Sequence, residues 1–417
     1  MRRAAVSFIL LFAGIALARP PSDTLSVEEA VETALRHNPN VAIAELDRRQ
    51  AEVHTREVRA GRYPSLLLHS HYLHTPETGY NEAVTNGGEY ALQLTASVPL
   101  YDGGIRSALI DQSVDEQERS QAEVGRNRSD LVLAVRTAYF ETVSAREEVA
   151  IRMEIVGRLE DYLSLLRRLK IGGGALQSDI LKTQVDLNNA LIAVDVAGQS
   201  LVKSTNELKN LTGTALDTPL ETLDPRDGTD TSAVPFDSVD ASPDLRVLER
   251  QKASAEADVR IAQGERYPTL SISGDAGALG VTPREFSDDM GYSILVSLGM
   301  PLFDWGEIGA RISQKELARD RIDLEIQARR REIESAWKTV TADYASARKT
   351  LKNYETNITS AEENYLSAKS RFAGGSGTSL EVLDAQRLLG DARLSYNATL
   401  LQLRVDRATM LRLSGNP

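Results

Sequence analysis

The 417-residue chain contains no cysteine. Disulfides are excluded, and so is lipid acylation at an N-terminal cysteine. Aromatic residues are scarce at 5%, too few for one thick globular core, while abundant alanine suits long helices packed closely on small side chains. One apolar run stands out, Ala4 to Ala18 behind Arg2 and Arg3, closing on Ala16-Leu17-Ala18. Basic start, apolar middle and small-residue end predict a secretory signal peptide over residues 1–18. No other run approaches the roughly 20 residues a spanning helix needs, so membrane contact falls to strands or to a surface. Cations are also short: 48 Lys and Arg against 60 Asp and Glu leave a formal charge of −12, which argues against a nucleic-acid partner.

What is present is a repeat. Arg62-Tyr63-Pro64 recurs as Arg266-Tyr267-Pro268, and Asn38-Pro39 as Ser242-Pro243, both 204 residues on. Val98-Pro99-Leu100-Tyr101-Asp102-Gly103-Gly104 recurs as Met300-Pro301-Leu302-Phe303-Asp304-Trp305-Gly306 at 202, a spacing that holds through Gln184 and Gln386 to Thr212-Gly213 and Ser414-Gly415. The chain is therefore divided into a first unit over 19–213, a linker over 214–241 and a second unit over 242–417. Pro219, Pro225 and Pro235 among aspartates break helix and strand in the linker, leaving room for one short element. Near the start, Ser26 and Glu29 have the spacing of a capping box for a short helix that ends at Asn38-Pro39.

After each Tyr-Pro the polarity alternates with period two. Tyr90, Leu92, Leu94, Ala96 and Val98 share one face, opposite Gln93, Thr95 and Ser97. In the second unit Leu270, Ile272, Gly274 and Ala276 oppose Thr269, Ser271, Ser273 and Asp275, and Tyr292, Ile294, Val296 and Leu298 oppose Ser293, Ser297 and Gly299. These β-hairpins, over about 65–99 and 269–301, have strands of about ten residues, the length of a tilted membrane strand. Tyr63, Tyr101, Tyr267, Phe303 and Trp305 stand at strand ends, where interfacial aromatics belong. A soluble sheet on a core would alternate too, but no remaining segment could supply that core. Four strands cannot close a barrel, and an open edge in lipid leaves backbone groups unpaired, so chains must associate. Three copies give twelve strands and a lumen, whereas two give an interior filled by side chains.

From Leu131 to Leu166, and in the same phase from Ile333 to Ala368, apolar or small residues step by four and three. Such a heptad seam predicts left-handed supercoiling. No breaker interrupts 105–170, so one helix of about 66 residues runs close to 100 Å. Helices over 39–61 and 177–212, placed end to end, nearly match it in length.

With these features the chain resembles the TolC-type outer-membrane efflux proteins over nearly its whole length. The resemblance is carried by the Tyr-Pro hairpin entries, the Pro-Leu-Tyr-Asp-Gly-Gly and Pro-Leu-Phe-Asp-Trp-Gly exits, and Arg371-Phe372-Ala373-Gly374-Gly375 leading into Leu380-Glu381-Val382-Leu383-Asp384-Ala385-Gln386. It implies a mostly α, internally duplicated membrane protein: a homotrimeric twelve-stranded barrel in the outer membrane of a Gram-negative-type envelope, in contact with its lipid and continuous with a periplasmic helical barrel of coiled-coil hairpins. It implies no enzyme and no cofactor. The expected role is the passive exit duct of a tripartite efflux or type I secretion system, fed by an inner-membrane pump through a periplasmic adaptor, the membrane fusion protein. The hairpin tips, 170–178 and 371–379, are where such proteins meet the adaptor, here through Gly172, Gly173, Gly174, Gly374, Gly375 and Gly377. By position, Asp179, Glu381, Asp384 and Phe372 fall near the periplasmic aperture. Enterobacterial members carry a tyrosine and an arginine where this chain has Phe372 and Gly377, so the gate differs here.

Other chemistry finds little support. His69, His71 and His74 invite a metal, but they do not share one strand face and no carboxylate stands at ligand spacing, so no metal site is expected. Gly172-Gly173-Gly174 lies between helices and does not make a phosphate loop. The rival reading is a soluble periplasmic coiled-coil adaptor or scaffold, which accounts for the heptads and leaves the strands unexplained.

Overall fold

The computed structural model describes residues 25–74, 89–215, 238–280 and 290–415, with Thr222, Val234 and Phe236. The expected signal peptide, the loops within both β-hairpins and most of the proline-containing linker lie outside the described residues. The first unit runs α1 (Val27–His37), α2 (Pro39–Ala60), β1 (Ser65–Leu73), β2 (Glu89–Tyr101), α3 (Ile105–Ile171) and α4 (Gln177–Thr212). A 3-10 turn, Val239–Ala241, precedes the second: α5 (Pro243–Gly264), β3 (Thr269–Gly280), β4 (Met290–Gly299), α6 (Glu307–Ala373) and α7 (Ser379–Leu413). The repeat persists in element length, since α2 and α5 each hold 22 residues and α3 and α6 each hold 67.

Local chemistry sets the ends. Ser26 and Glu29 exchange the two bonds of a capping box that opens α1. The Asp102 carboxylate accepts from the backbone N–H of Gly104 at 3.2 Å and of Arg106 at 3.0 Å, starting α3. Asp304 repeats this with Gly306 at 3.0 Å and Ile308 at 2.9 Å, starting α6.

α3 packs against α2 and α4 on one side and α5 and α7 on the other, whereas α6 packs along its length mainly against α5 and α7 and meets α3 near the tip, where Phe372 touches Tyr162. The chain is thus a slab of four helical columns whose open edges are α2–α4 and α6. Burial follows: α3 is buried on two faces, and α6 along one seam that includes Ile333, Val340, Ala347, Leu351 and Tyr365. Even Thr142, an interruption of the α3 heptads, is buried, its hydroxyl donating to the Ala138 carbonyl at 2.8 Å.

Where α7 ends and α5 begins, the slab is joined by charge. Arg412 donates to both oxygens of Asp244, at 2.8 and 3.1 Å, and to Asp130 of α3 at 2.8 Å, while Arg329 of α6 donates to Asp244 at 2.8 Å. Burial pushes the Asp244 carboxyl upward, but the guanidinium bonds from Arg412 and Arg329 outweigh it and hold it below its ordinary value.

Candidate channel and periplasmic entrance

The strands form one antiparallel sheet in the order β1-β2-β3-β4, with β1 and β4 at its edges. Pairing of Leu67 with Thr95, Thr95 with Asp275 and Asp275 with Ser293 fixes a single register across all four. One face then carries His69, His71, Gln93, Thr95, Ser97, Ser271, Ser273, Asp275, Ser293 and Ser297, with Leu67 and Leu295 among them; the other carries Leu66, Leu68, Leu92, Leu94, Leu270, Ile272, Tyr292, Ile294, Val296 and Leu298, with Ser70 among them. On the polar face Asp275 accepts from the Thr95 hydroxyl at 2.5 Å and from Ser293 at 3.4 Å. The apolar face has no core beneath it: Ile294 is 69% and Leu298 72% exposed. A face so apolar and so bare demands an apolar surrounding. No helix among the described residues is long and apolar enough to cross a membrane.

His69 and His71 share the polar face, while His74 lies beyond β1 with Nδ1 3.5 Å from the Tyr72 hydroxyl. Among the described residues no group of three His, Asp or Glu could hold a metal ion.

At the far end of the columns the two hairpin turns are near copies. Gly173 at φ +78° and Gly375 at φ +77° take the left-handed conformation that lets each chain reverse. Gly377 has a packing reason as well, since a β-carbon there would stand 2.9 Å from the Phe372 nitrogen. Asp179, in the first turn of α4, accepts from the Leu176 N–H at 3.2 Å and so caps its helix. Glu381, in the first turn of α7, pairs with Arg371 across the turn. Asp384 is exposed in a groove of about 350 Å³ between α4 and α7, among Lys182, Asp186, Arg152 and Arg387.

Phe372 lies buried at the tip. It is 8% exposed and packs edge-on to Tyr162, ring centroids 5.5 Å apart, inside an apolar cluster of both tips with Leu166, Ile180, Val382 and Leu389. A heptad core position takes the ring inward, between the two hairpins. The ties between the hairpins were not foreseen from the sequence: Tyr162 donates to the Ser379 hydroxyl at 3.0 Å, Gln386 to the Ile155 carbonyl at 3.2 Å, and Arg393 pairs with Glu154. Tyr162 lies off the heptad seam, so only a second buried face on α3 reveals it.

The family described as outer membrane efflux protein matches residues 30–214 and 237–416, one span per unit. The chain belongs to that family. It is an outer-membrane exit duct of an efflux system, and the soluble adaptor reading is set aside. The toluene efflux pump outer membrane protein TtgC of Pseudomonas putida is 23% identical over 397 residues, covering 88% of this chain and 78% of that protein. The cobalt-zinc-cadmium resistance protein CzcC of Cupriavidus metallidurans is 26% identical over 325 residues, 76% of each. Among solved structures, the channel CusC superposes with a TM-score of 0.87 at 17% identity, covering 94% of this chain and 92% of that one. This efflux duct thus shares its fold with outer-membrane channels.

Proposed function

We propose that three copies close edge to edge into a twelve-stranded barrel that passes cargo outward without chemistry, its helical columns extending as a tunnel into the periplasm. The observation that carries this is the sheet: four strands with one bare apolar face and two open edges, continuous with a slab of columns that is open at the same two edges. Closing β4 on the next β1 removes every edge at once. At the tunnel's mouth the exposed tips meet a periplasmic adaptor that hands over cargo from an inner-membrane pump. Relatives are named for cargoes as unlike as toluene and cobalt, zinc and cadmium, which supports a duct whose cargo is chosen upstream.

Asp179, Glu381 and Asp384 supply carboxylates at that mouth, which in a threefold ring favour cations and resist anions. Light scattering of the detergent-solubilised protein should give a three-chain particle; a single chain would sink the proposal. Replacing Asp179 and Asp384 by alanine should raise single-channel conductance in planar bilayers. Unchanged conductance in an assembled trimer would leave them as helix caps.

A further inference from the structure

Among the described residues Trp305 is the one residue other than glycine with positive φ, at +55°. The left-handed region costs a bulky residue about 1–2 kcal/mol. The equivalent residue of the first unit avoids that cost as Gly103, at φ +68°. The turns match otherwise, since Asp102 and Asp304 accept the same two N–H bonds. The β-carbon of Trp305 therefore leaves the turn in the direction a β-carbon on Gly103 would take. From Gly103 that direction leads straight into the neighbouring unit: 2.4 Å from the Gly264 carbonyl oxygen and 2.8 Å from Cβ of Tyr267. Gly264 is equally tight, because a β-carbon there would stand 2.5 Å from Cγ1 of Ile105. The seam between the two units is closed by two glycines in contact.

Cyclic closure repeats this seam between chains, with α6 and β4 of one protomer meeting α2 and β1 of the next. The residues equivalent to Gly264 and Tyr267 are Ala60 and Tyr63. Both glycines are lost there, one to tryptophan and one to alanine, so the tight approach cannot recur. We propose that Trp305 is an inter-protomer wedge: its indole crosses the seam onto the partner's Ala60 and the partner's Tyr63, holding the joint wider than the joint within the chain. In the isolated chain Trp305 is 90% exposed, stacked edge-on against Phe303 at 4.8 Å beside a Leu302 that is 89% exposed. Phe303 and Leu302 then flank the wedge on the membrane side. The inference rests on the cyclic closure proposed above. A lipid-facing indole is the competing outcome.

The absence of cysteine makes the test clean. Trp305 and Tyr63 adjoin opposite edges of a four-stranded sheet, about 14 Å apart at the least at ~4.8 Å per strand, so no disulfide can join them within one chain. Treating a Trp305→Cys, Tyr63→Cys double variant with dibromobimane, a thiol linker that bridges about the gap an indole would fill but not the distance across one sheet, should yield a covalent trimer on denaturing gels. A three-chain particle without cross-links overturns the wedge and leaves the closure standing; a single-chain particle overturns both. Trp305→Gly should speed trimer dissociation by roughly tenfold, as expected for a buried tryptophan anchor, with Trp305→Phe between the two. In a Trp337→Phe background, brominated phospholipid in vesicles should quench the remaining indole weakly; strong quenching would place it in lipid and overturn the inference.

Discussion

The two units share lengths and caps but lock their columns by different means. In the second, α7 is bound to α5 by Asp244, Arg329 and Arg412; at the equivalent positions the first has Asn40, Asn127 and Asn210, with no charge among them. The first unit has a cover instead. α1 lays Ala30 and Ala34, both fully buried, over Val41, Leu131, Val135, Tyr139 and Leu208, and Asn38 donates to the Leu211 carbonyl at 3.0 Å. The second unit has no such helix among the described residues, only the 3-10 turn and Phe236 stacked on Trp337 at 4.1 Å. A break between stacked helices leaves helix ends and their polar groups to be satisfied. An apolar lid lets neutral side chains suffice, and without the lid the joint is held by ions.

The sharpest way to break that contrast is Asp244→Ala, which leaves Arg412 and Arg329 facing each other in a mostly buried joint. A loss of about 3–5 kcal/mol is expected from urea unfolding of the solubilised protein, against under ~1 kcal/mol for the exposed Asn40→Ala. The triple replacement Asp244→Asn, Arg329→Asn, Arg412→Asn copies the first unit and should recover much of the loss, since the carboxylate it parts from Arg412, Asp130, is exposed to water. The pH dependence has a definite sign. Asp244 has a depressed folded-state pKa, so its contribution is present above the unfolded carboxylate value near ~3.9 and is lost as pH falls through the lower folded value. Asp244→Asn should flatten stability in that acid range; an unchanged slope would show that the cluster stores no such energy.

The second contrast lies between the tight seam at Gly103 and its open counterpart at Trp305. Gly103→Ala combines left-handed strain with a β-carbon 2.4 Å from a backbone oxygen, and should cost about 3 kcal/mol in folding. Trp305→Ala removes an exposed side chain and should leave the fold of the protomer nearly unchanged, its effect confined to trimer dissociation. Equal folding losses at the two sites would mean the seams are alike.

Much of this architecture is legible in the sequence because it rests on period and repeat. The Tyr-Pro entries, the alternation from Tyr90 to Val98 and the heptads from Ile333 to Ala368 fall where the strands and α6 stand, and the short element expected between the units is the turn Val239–Ala241. What escaped depends on contacts between residues far apart in the chain. Heptad spacing gives α3 one apolar seam; the second, which buries Tyr162 against Phe372, exists only because a slab packs α3 on both sides. The Asp244 cluster joins residues from α3, α5, α6 and α7, and nothing in their local sequence pairs them. Trp305 reads as one more interfacial aromatic until its φ is known.

The smallest expected effect compares two tyrosines of the tip cluster. Tyr162 is fully buried and its hydroxyl donates to Ser379, whereas the Tyr365 hydroxyl is buried without a hydrogen-bond partner, beneath Arg158 at 5.3 Å from the ring centre. Tyr162→Phe should therefore cost about 1 kcal/mol, and Tyr365→Phe should be neutral or slightly stabilising, because it removes a desolvated hydroxyl that bonds to nothing. Burial pushes the Tyr162 phenol up to about 12, with Ser379 opposing. A raised folded-state value means its contribution is intact below the unfolded value near ~10 and is lost as pH rises toward about 12. Unfolding followed between those limits should show the wild type weakening faster than Tyr162→Phe, which has no proton to lose there. Parallel curves would mean that the tip opens to water before the phenol ionises, and the two hairpins would then be tied by apolar contact alone.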